Sequence, residues 1–424
     1  MRYKENNMLL FGFSQTEITP IVPTELVGFY RPDSISKGVL QPLTAQVAVW
    51  ENKEKCCLIT IDSIGFTLEL SNTLRKLVAE SLGIPLHNVM LCFSHTHSAP
   101  DPDTDRDYFH LVCERITSAA LRAAEHMIPV SAGWGNARAR IGVNRRPVSG
   151  DTDDRVGILK VCDTEGNLKL LLLRVTAHGN VLKRDNVLVS PDYFGAVRDT
   201  VGREYHCPVM MIQGAAGNIA PRYFCSVETP VDAQSPACVR SKTALQDMAD
   251  EIASGIRPVI GGIPLHSSLP VKMYSRFIEL SSPVPSLDEA LKTEKDAREL
   301  CGIISPGWME KVQQLIRRGI TAQSETVEMQ YFSVGNWCLC GGPYEFMVGF
   351  ALRASSLLKD DYFYLNGYTN GCLLYFPTEE EFDFGGYEVY WSTLIYYKYI
   401  DRVYPFFRDS ASRVIRFAAE NKEP

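Results

Sequence analysis

Residues 88–101 read NVMLCFSHTHSAPD, an apolar run of strand length followed at once by two histidines in a polar segment. The run NVMLCF (88–93) predicts a buried strand, because a short continuous apolar run fits a strand that is covered on both faces. In an extended segment, His95 and His97 project to the same side. Two imidazoles that face one way at a strand end suit a metal site or an acid–base pair. Two loop histidines in contact with solvent are the alternative that this motif leaves open.

Segments of strand type and helix type alternate on either side of this motif. LTAQVAVW (43–50) and KCCLITID (55–62) predict a hairpin, and ELSNTLRKLVAESLG (69–83) predicts a helix that ends at Gly83. Because hairpins interrupt the alternation, we predict an α/β fold with mixed β-sheets flanked by helices. Further hairpin-like pairs are predicted at 157–178 and 327–342, and further helices at 108–127, 240–256, 307–318, 342–358 and 410–420.

Composition and charge exclude several classes of protein. The 424 residues are 45% hydrophobic and carry a formal net charge of -7, without a long Lys/Arg cluster, so nucleic acid is not an expected partner. We find neither a secretory signal nor a stretch of transmembrane length, and we therefore expect a cytoplasmic protein. The 12 cysteines contain no C-x-x-C pair and are interpreted as buried thiols. Residues 222–239 lack periodicity and predict a long surface loop.

Three further segments carry candidate chemistry. His178 ends the apolar run LLLLRVTAH, where it is either an ordinary structural histidine or a partner that converges on the first pair. GAAGNIAP (214–221) is a small-residue loop that allows close approach of a ligand, and a tight structural turn explains it equally well. Glu345 opens a predicted helix, where it either complements the helix dipole or supplies the oxygen ligand that zinc sites combine with histidines.

In their order along the chain, several segments resemble the neutral/alkaline (non-lysosomal) ceramidase family. They are GFSQTEITP (12–20), SHTHSAPD (94–101), Val143-Asn144-Arg145, SPDYFG (190–195), GAAGNIAP (214–221), GGPYEF (341–346) and LYFPTEEEF (374–382). The resemblance is to the catalytic N-terminal domain of that family. It implies that residues 1–424 form a single ceramidase-like zinc hydrolase domain, without the C-terminal β-sandwich domain that the family usually carries.

The resemblance also implies a site with one Zn²⁺ per chain. The implied zinc ligands are His95, His178, Glu345 and Tyr375. The implied catalytic residues are His97 beside the metal, with Arg145 and Tyr387 at the carbonyl oxygen, and the implied substrate loop includes Gly217, Asn218 and Ala220. The family has a serine where this chain has Ala220, so a covalent serine mechanism at this position is excluded. A zinc-activated water remains as the nucleophile, with His97 or Tyr387 protonating the leaving amine.

We therefore predict a zinc-dependent hydrolase of an amide C–N bond, acting on a small-molecule or lipid amide such as the sphingolipid ceramide. One alternative is a zinc hydrolase of a non-lipid, soluble amide or ester. Another is a non-catalytic ligand-binding homologue, which the alanine at position 220 motivates. The entrance separates the first two, because acyl chains need an apolar groove. We expect a comparatively polar rim.

Overall fold

The computed structural model describes residues 8–146, 150–223 and 242–423. Its strands are β1 Leu9–Glu17, β2 Thr44–Glu51, β3 Lys55–Ile61, β4 Val89–Phe93, β5 Ile128–Arg138, β6 Gly142–Asn144, β7 Arg155–Asp163, β8 Leu168–Val175, β9 Val209–Gln213, β10 Ile219–Pro221, β11 Val271–Pro283, β12 Ala322–Val334, β13 Trp337–Gly341, β14 Glu345–Phe346, β15 Phe363–Asn366 and β16 Tyr375–Phe376. Its α-helices are α1 Leu68–Leu82, α2 Arg106–Glu125, α3 Tyr193–Tyr205, α4 Lys242–Ile260, α5 Leu287–Cys301, α6 Pro306–Arg317, α7 Val348–Leu358, α8 Thr393–Tyr396 and α9 Ser410–Glu420.

The largest sheet has eight strands in the order β4-β3-β2-β1-β5-β7-β8-β9. Its pairs are antiparallel except β3–β4 and β8–β9, which are parallel. The two ends of the sheet approach each other, since the side-chain amide of Gln213, the last residue of β9, donates to the carbonyl oxygen of Ser94, directly after β4, at 3.4 Å. The cumulative twist of a long sheet accounts for this approach. Strands that are far apart in the order of the sheet therefore end close together in space.

The two faces of this sheet pack against different layers. On one face, Val47 and Val49 of β2 join a core with residues of α1, α2, α3 and α4. On the other face, Ala48 and Trp50 join a core with residues of β11, β12, β13 and β15. These four strands form a second sheet in the order β11-β12-β13-β15. Burial of both faces explains why the strands are apolar at consecutive positions instead of at alternate ones.

Helices α7 and α9 cover the outer face of the second sheet. Phe350 and Ala354 of α7 and Val414 and Ala418 of α9 belong to its outer core. The described residues thus form four layers, with helices outside and two sheets inside. This arrangement confirms the predicted α/β class with mixed sheets flanked by helices. None of the helices in the described ranges is both long and apolar enough to cross a membrane.

Several local predictions hold, and one of them needs correction. The hairpin of β2 and β3 is present, and α1 ends before Gly83, which takes a left-handed φ of 63°. The helix predicted over 342–358 begins only at Val348, because Glu345 and Phe346 pair with β16 as a strand. The elements that were not predicted include the strands β1, β5 and β11 and the helices α3 and α5. Most of the loop predicted at 222–239 lies outside the described residues.

The cysteines follow the interpretation made from the sequence. Among the residues that the structure describes, eight cysteines are buried, and all ten cysteines present there are free thiols. Burial raises the pKa of the Cys92 thiol to about 12, so that this group stays protonated and packs as a small apolar side chain.

Candidate metal centre

The two histidines of the Ser-His-Thr-His motif follow β4 and lie in one buried cluster. His95 has a left-handed φ of 59°, so the segment is not extended as the sequence interpretation assumed. Histidine is one of the residue types that tolerate this conformation. The turn still brings the rings of His95 and His97 to a centroid distance of 5.0 Å. The expected convergence is therefore present, although its geometric reason is different.

His178 reaches the same cluster from the end of β8. The backbone N–H of His97 donates to the carbonyl oxygen of Gly179 at 3.1 Å, which joins the two segments. A side chain at position 179 would collide with the backbone carbonyl of His95, so the close approach depends on glycine. One ligand atom from each of His95, His97 and His178 lies within 4.8 Å of the others, and all three residues are buried.

Backbone carbonyls fix the orientation of two of these rings. The Nδ1 atom of His95 lies 2.7 Å from the carbonyl oxygen of Ile64, and the Nδ1 atom of His178 lies 3.1 Å from that of Ala216. A carbonyl oxygen only accepts, so each Nδ1 carries the hydrogen and each Nε2 is directed into the cluster. The two Nε2 atoms are 3.1 Å apart. Metal-binding histidines are usually held in this way, by a carbonyl or carboxylate at the other ring nitrogen.

The carboxylate of Glu345 completes the cluster from the second half of the chain. Its Oε2 atom lies 3.3 Å from Nε2 of His95 and 3.6 Å from Nε2 of His178. Glu345 stands in β14, directly opposite Tyr375 in the parallel strand β16. Register partners in a parallel pair point to the same face, so the side chain of Tyr375 lies on the same face as that of Glu345. The sequence alone placed Glu345 in a helix, where no such pairing exists.

The donor set fits a zinc ion. A tetrahedral zinc site with nitrogen and oxygen ligands at about 2.05 Å has its ligand atoms about 3.3 Å apart. The three distances among His95, His178 and Glu345 are 3.1, 3.3 and 3.6 Å. Burial, followed by the neighbouring charge of His95, lowers the pKa of His178 well below its ordinary value, which keeps the ring in its neutral, ligating form.

Tyr375 lies beside this cluster, opposite Glu345 in the β14–β16 pair. Its hydroxyl accepts a hydrogen bond from Nη2 of Arg145 at 3.3 Å. Burial and the nearby Glu345 raise the pKa of Tyr375 well above its ordinary value, while Arg145 acts in the opposite direction. A bound cation would be needed to lower the pKa of this phenol enough for it to act as a phenolate ligand. The role of Tyr375 as a fourth ligand stays a prediction.

His97 is buried, and neither of its ring nitrogens has a hydrogen-bond partner among the residues that the structure describes. Its ring is held between Gly28, where a side chain would collide with it, and Phe29, at a ring-centroid distance of 4.7 Å. Burial, then the neighbouring His95, lowers the pKa of His97 well below its ordinary value, so the ring is neutral. A buried imidazole without a partner is costly, and it is able to bind a ligand group that enters the cavity.

The cluster forms the floor of a cavity of about 410 Å³. Arg145 and Tyr387 line it, and so does Glu388, which pairs with Nε of Arg145 at 3.0 Å. The remaining polar or catalytic candidates on its walls are His95, His97, His178, Asn180, Glu345, Tyr375 and Tyr396. Its other walls are formed by Gly28, Phe29, Tyr30, Ile64, Cys301, Ile303 and Ile395.

A second cavity of about 230 Å³ shares His95 and Glu345 with the first. Its polar lining includes Asp101 and Asp103, which follow the histidine motif in sequence. Burial raises the pKa of Asp101 to about 6, against a hydrogen bond from the backbone of Asp103 that lowers it. The hydroxyl of Thr67 donates to Asp103 at 2.7 Å. The candidate centre therefore borders two cavities, and the smaller one carries the two further carboxyl groups of Asp101 and Asp103.

The small-residue loop supports the cluster from behind. Gly217 packs against the backbone of Glu345, where a side chain would collide with the carbonyl oxygen. The side-chain oxygen of Asn218 accepts from the N–H of Val348 at 2.8 Å, at the start of α7. Ala220 lies in β10, paired with Val143 of β6. These residues position β14 and α7, and their contact with substrate stays a prediction.

Two residues at this centre were missed in the sequence. Glu388 follows Tyr387 directly and bridges Arg145 and Arg146. Tyr368 donates its hydroxyl to Glu345 at 3.3 Å. The sequence offered one clue for each residue: Glu388 is adjacent to a predicted catalytic residue, and two glycines flank the turn that contains Tyr368. Neither clue identifies a contact partner that lies 20 or more residues away.

Comparison with solved structures gives a common fold. The chain is similar to the neutral ceramidase from Pseudomonas aeruginosa, with a TM-score of 0.72 and 18% identity over 98% of this chain and 74% of that chain. It is also similar to a ceramidase complexed with C2, with a TM-score of 0.72 and 16% identity over 97% of this chain and 74% of that chain. No protein-family model and no curated protein matches the sequence. The fold is therefore ceramidase-like.

Proposed function

We propose that this chain is a zinc-dependent hydrolase of an amide C–N bond that uses water as the nucleophile. The observation that carries the proposal is the convergence of two Nε2 atoms and one carboxylate oxygen, from His95, His178 and Glu345, within 3.1–3.6 Å on a cavity floor. The ceramidase-like fold supports an amide as the substrate. A zinc ion held there would activate water and polarise the amide carbonyl.

The residues around the cluster divide the remaining tasks. The guanidinium of Arg145 lies beside Tyr375 and next to the cavity, where it can donate to a carbonyl oxygen that gains negative charge. The ring nitrogen of neutral His97 that carries no hydrogen can accept a proton and return it to the leaving amine. Tyr387 lines the same cavity, and burial raises the pKa of its phenol, so that it remains a donor. Position 220 offers a methyl group and no hydroxyl, which leaves water as the nucleophile.

The substrate is proposed to be an amphipathic amide. The larger cavity is lined in part by the apolar side chains of Phe29, Ile303 and Ile395, and by Tyr30, which is 89% exposed. These apolar walls suit an acyl chain, and the comparatively polar rim stays a prediction. The smaller cavity, with its two aspartates, suits an amine part that carries hydrogen-bond donors. Both sides of the amide bond are thereby accommodated.

The test is metal content together with amide hydrolysis on the purified chain. We expect about one zinc ion per chain by elemental analysis, release of free amine from N-acyl substrates of graded chain length, loss of this activity on chelation and recovery on adding zinc. Hydrolysis of short soluble amides alone would support the soluble-substrate alternative. Bound zinc without hydrolysis of any amide or ester would support the ligand-binding alternative, and a protein that takes up no metal would refute the proposal.

Replacing Arg145 tests the carbonyl-binding role. The Arg145→Gln variant is expected to lower kcat by about 10²–10³, the usual cost of removing one donor to a developing oxyanion, with the zinc content unchanged. The measurement is steady-state kinetics on the best amide of the panel. Arg140, which is exposed and nearby in sequence, provides the matched control Arg140→Gln. Unchanged kcat in Arg145→Gln would remove Arg145 from the catalytic set.

A further inference from the structure

Tyr368 lies in the turn after β15 and joins the two halves of the candidate centre through its backbone. Its carbonyl oxygen accepts from the N–H of Phe93 at 2.9 Å, two residues before His95. Its own N–H donates to the carbonyl oxygen of Tyr344 at 3.1 Å, one residue before Glu345. The residue is fully buried and has a left-handed φ of 54°. A tyrosine in this conformation is strained, and such strain persists only where the surroundings hold the residue in place.

The side chain of Tyr368 contacts the same two candidate ligands. Its ring lies against the ring of His95, with a centroid distance of 4.5 Å. Its hydroxyl donates to Oε2 of Glu345 at 3.3 Å, the oxygen that also faces the histidine Nε2 atoms. A phenol hydroxyl can donate and a carboxylate oxygen only accepts, so Tyr368 is the donor in this bond.

We propose that Tyr368 is a positioning residue that orients the carboxylate of Glu345 and the ring of His95 for metal binding. The inference rests on the proposed function, since it assigns a task in the same metal centre. A glutamate side chain has three rotatable bonds, and an outside hydrogen bond selects the orientation in which its oxygen faces the histidines. The backbone bonds of Tyr368 fix where that hydroxyl is, so the centre is aligned before the ion arrives.

A purely structural role predicts a different result from a positioning role. If the buried tyrosine only fills space, its substitution would lower the stability of the protein but would leave the affinity for metal unchanged. The variant Tyr368→Phe keeps the ring against His95 and removes only the hydroxyl. The matched control is Tyr331→Phe, because Tyr331 is also fully buried but donates its hydroxyl to the carbonyl oxygen of Ala418 at 3.0 Å, away from the centre.

The experiment measures the zinc dissociation constant by competition with a chelating indicator, for the metal-free wild type and both variants. We expect Tyr368→Phe to bind zinc about 10- to 100-fold more weakly, the usual effect of removing a partner of a metal ligand, and Tyr331→Phe to bind as the wild type does. The visible spectrum of the Co²⁺-loaded protein should also change in Tyr368→Phe alone. Melting temperatures of the metal-free proteins separate a folding defect from a metal-binding defect.

The outcomes separate a failure of the proposed function from a failure of the inference about Tyr368. A wild type that binds no zinc overturns the proposed function, and the inference about Tyr368 with it. A wild type that binds zinc, with equal affinity and an equal Co²⁺ spectrum in Tyr368→Phe, overturns the inference alone. If Tyr368→Phe is too unstable to load, the rise in melting temperature on adding excess zinc gives the comparison, and a rise equal to that of the wild type counts against the positioning role.

Discussion

His95→Asn and His178→Ala are each expected to lose stoichiometric zinc and measurable amide hydrolysis. Each substitution removes one of three donors that lie within 3.1–3.6 Å of one another, and a site with one histidine and one carboxylate holds zinc far more weakly. We expect the affinity for zinc to fall by more than about 100-fold, beyond the effect of changing an outer hydrogen-bond partner. Asparagine is chosen at position 95 because it tolerates the left-handed φ of 59°, so that loss of metal is not confused with backbone strain.

Two further histidine variants give this experiment its controls. His126 is exposed, and its Nδ1 atom lies 2.8 Å from the carbonyl oxygen of Arg122 in the preceding helix, so His126→Ala should retain both zinc and activity. His97→Ala should retain zinc and lose activity, because the resemblance places His97 beside the metal and not on it. The geometry also allows His97 as a ligand, since its nitrogen lies in the same group of three histidines. Loss of zinc in His97→Ala to the extent seen in His178→Ala would make it a ligand.

The residue types of the centre could be predicted from the sequence, but their arrangement could not. His95 and His178 were recognisable because each follows an apolar strand and precedes a polar segment. Their convergence depends on the twist of an eight-stranded sheet, which brings the ends of distant strands together. No local pattern contains that information. The left-handed turn at His95 was missed for a similar reason, because an H-x-H motif gives no signal for a positive φ.

The position of Glu345 shows the same limit more sharply. Its surroundings, GGPYEFMVGFALRASSLL, have helical spacing, and the helix is present from Val348 onward. Glu345 itself is not part of the helix, because its segment pairs as a β-strand with residues about 30 positions later in the chain. Tyr368 and Glu388 contact the centre through similarly distant partners. A long-range contact of this kind overrides local propensity, and one sequence does not reveal it.

A buried charge cluster lies behind the small-residue loop (214–221), and we expect a substitution in this cluster to lower the stability of the protein most. The carboxylate of Asp153 accepts from Nη1 of Arg174 at 2.6 Å and from Nε of Arg155 at 2.8 Å, and all three side chains are buried. Asp153→Asn leaves two buried guanidinium groups without their anion, and breaking a buried pair in this way costs about 3–5 kcal/mol. We expect urea denaturation at pH 7 to show a loss of this size in the free energy of unfolding.

A surface pair provides the contrast for Asp153→Asn. Asp383 pairs with Arg408 where both side chains are more than half exposed, so Asp383→Asn should cost no more than about 1 kcal/mol. If Asp153→Asn costs as little as Asp383→Asn, the buried cluster contributes no more than an ordinary surface pair. The difference matters for the metal centre, because Nε of Arg174 donates to Asn366 at 2.9 Å and so ties β8, which leads to His178, to β15.

The pH dependence of the wild type should identify Asp153 as the source of this stability. Burial alone would raise the pKa of Asp153, but the charges and hydrogen bonds of Arg174 and Arg155 lower it to about 2. An unfolded aspartate titrates near pH 3.9, about two units higher, so the folded state binds the proton less tightly than the unfolded state. The stabilisation is therefore fully present above about pH 4 and is lost as the pH falls from about 4 to about 2, an amount of roughly 2–3 kcal/mol.

The unfolding free energies of the wild type and Asp153→Asn should accordingly differ most at neutral pH and approach each other below pH 4. A difference that stays constant from pH 7 to pH 3 would contradict the assignment, because it would mean that the pKa of Asp153 is the same in the folded and the unfolded protein.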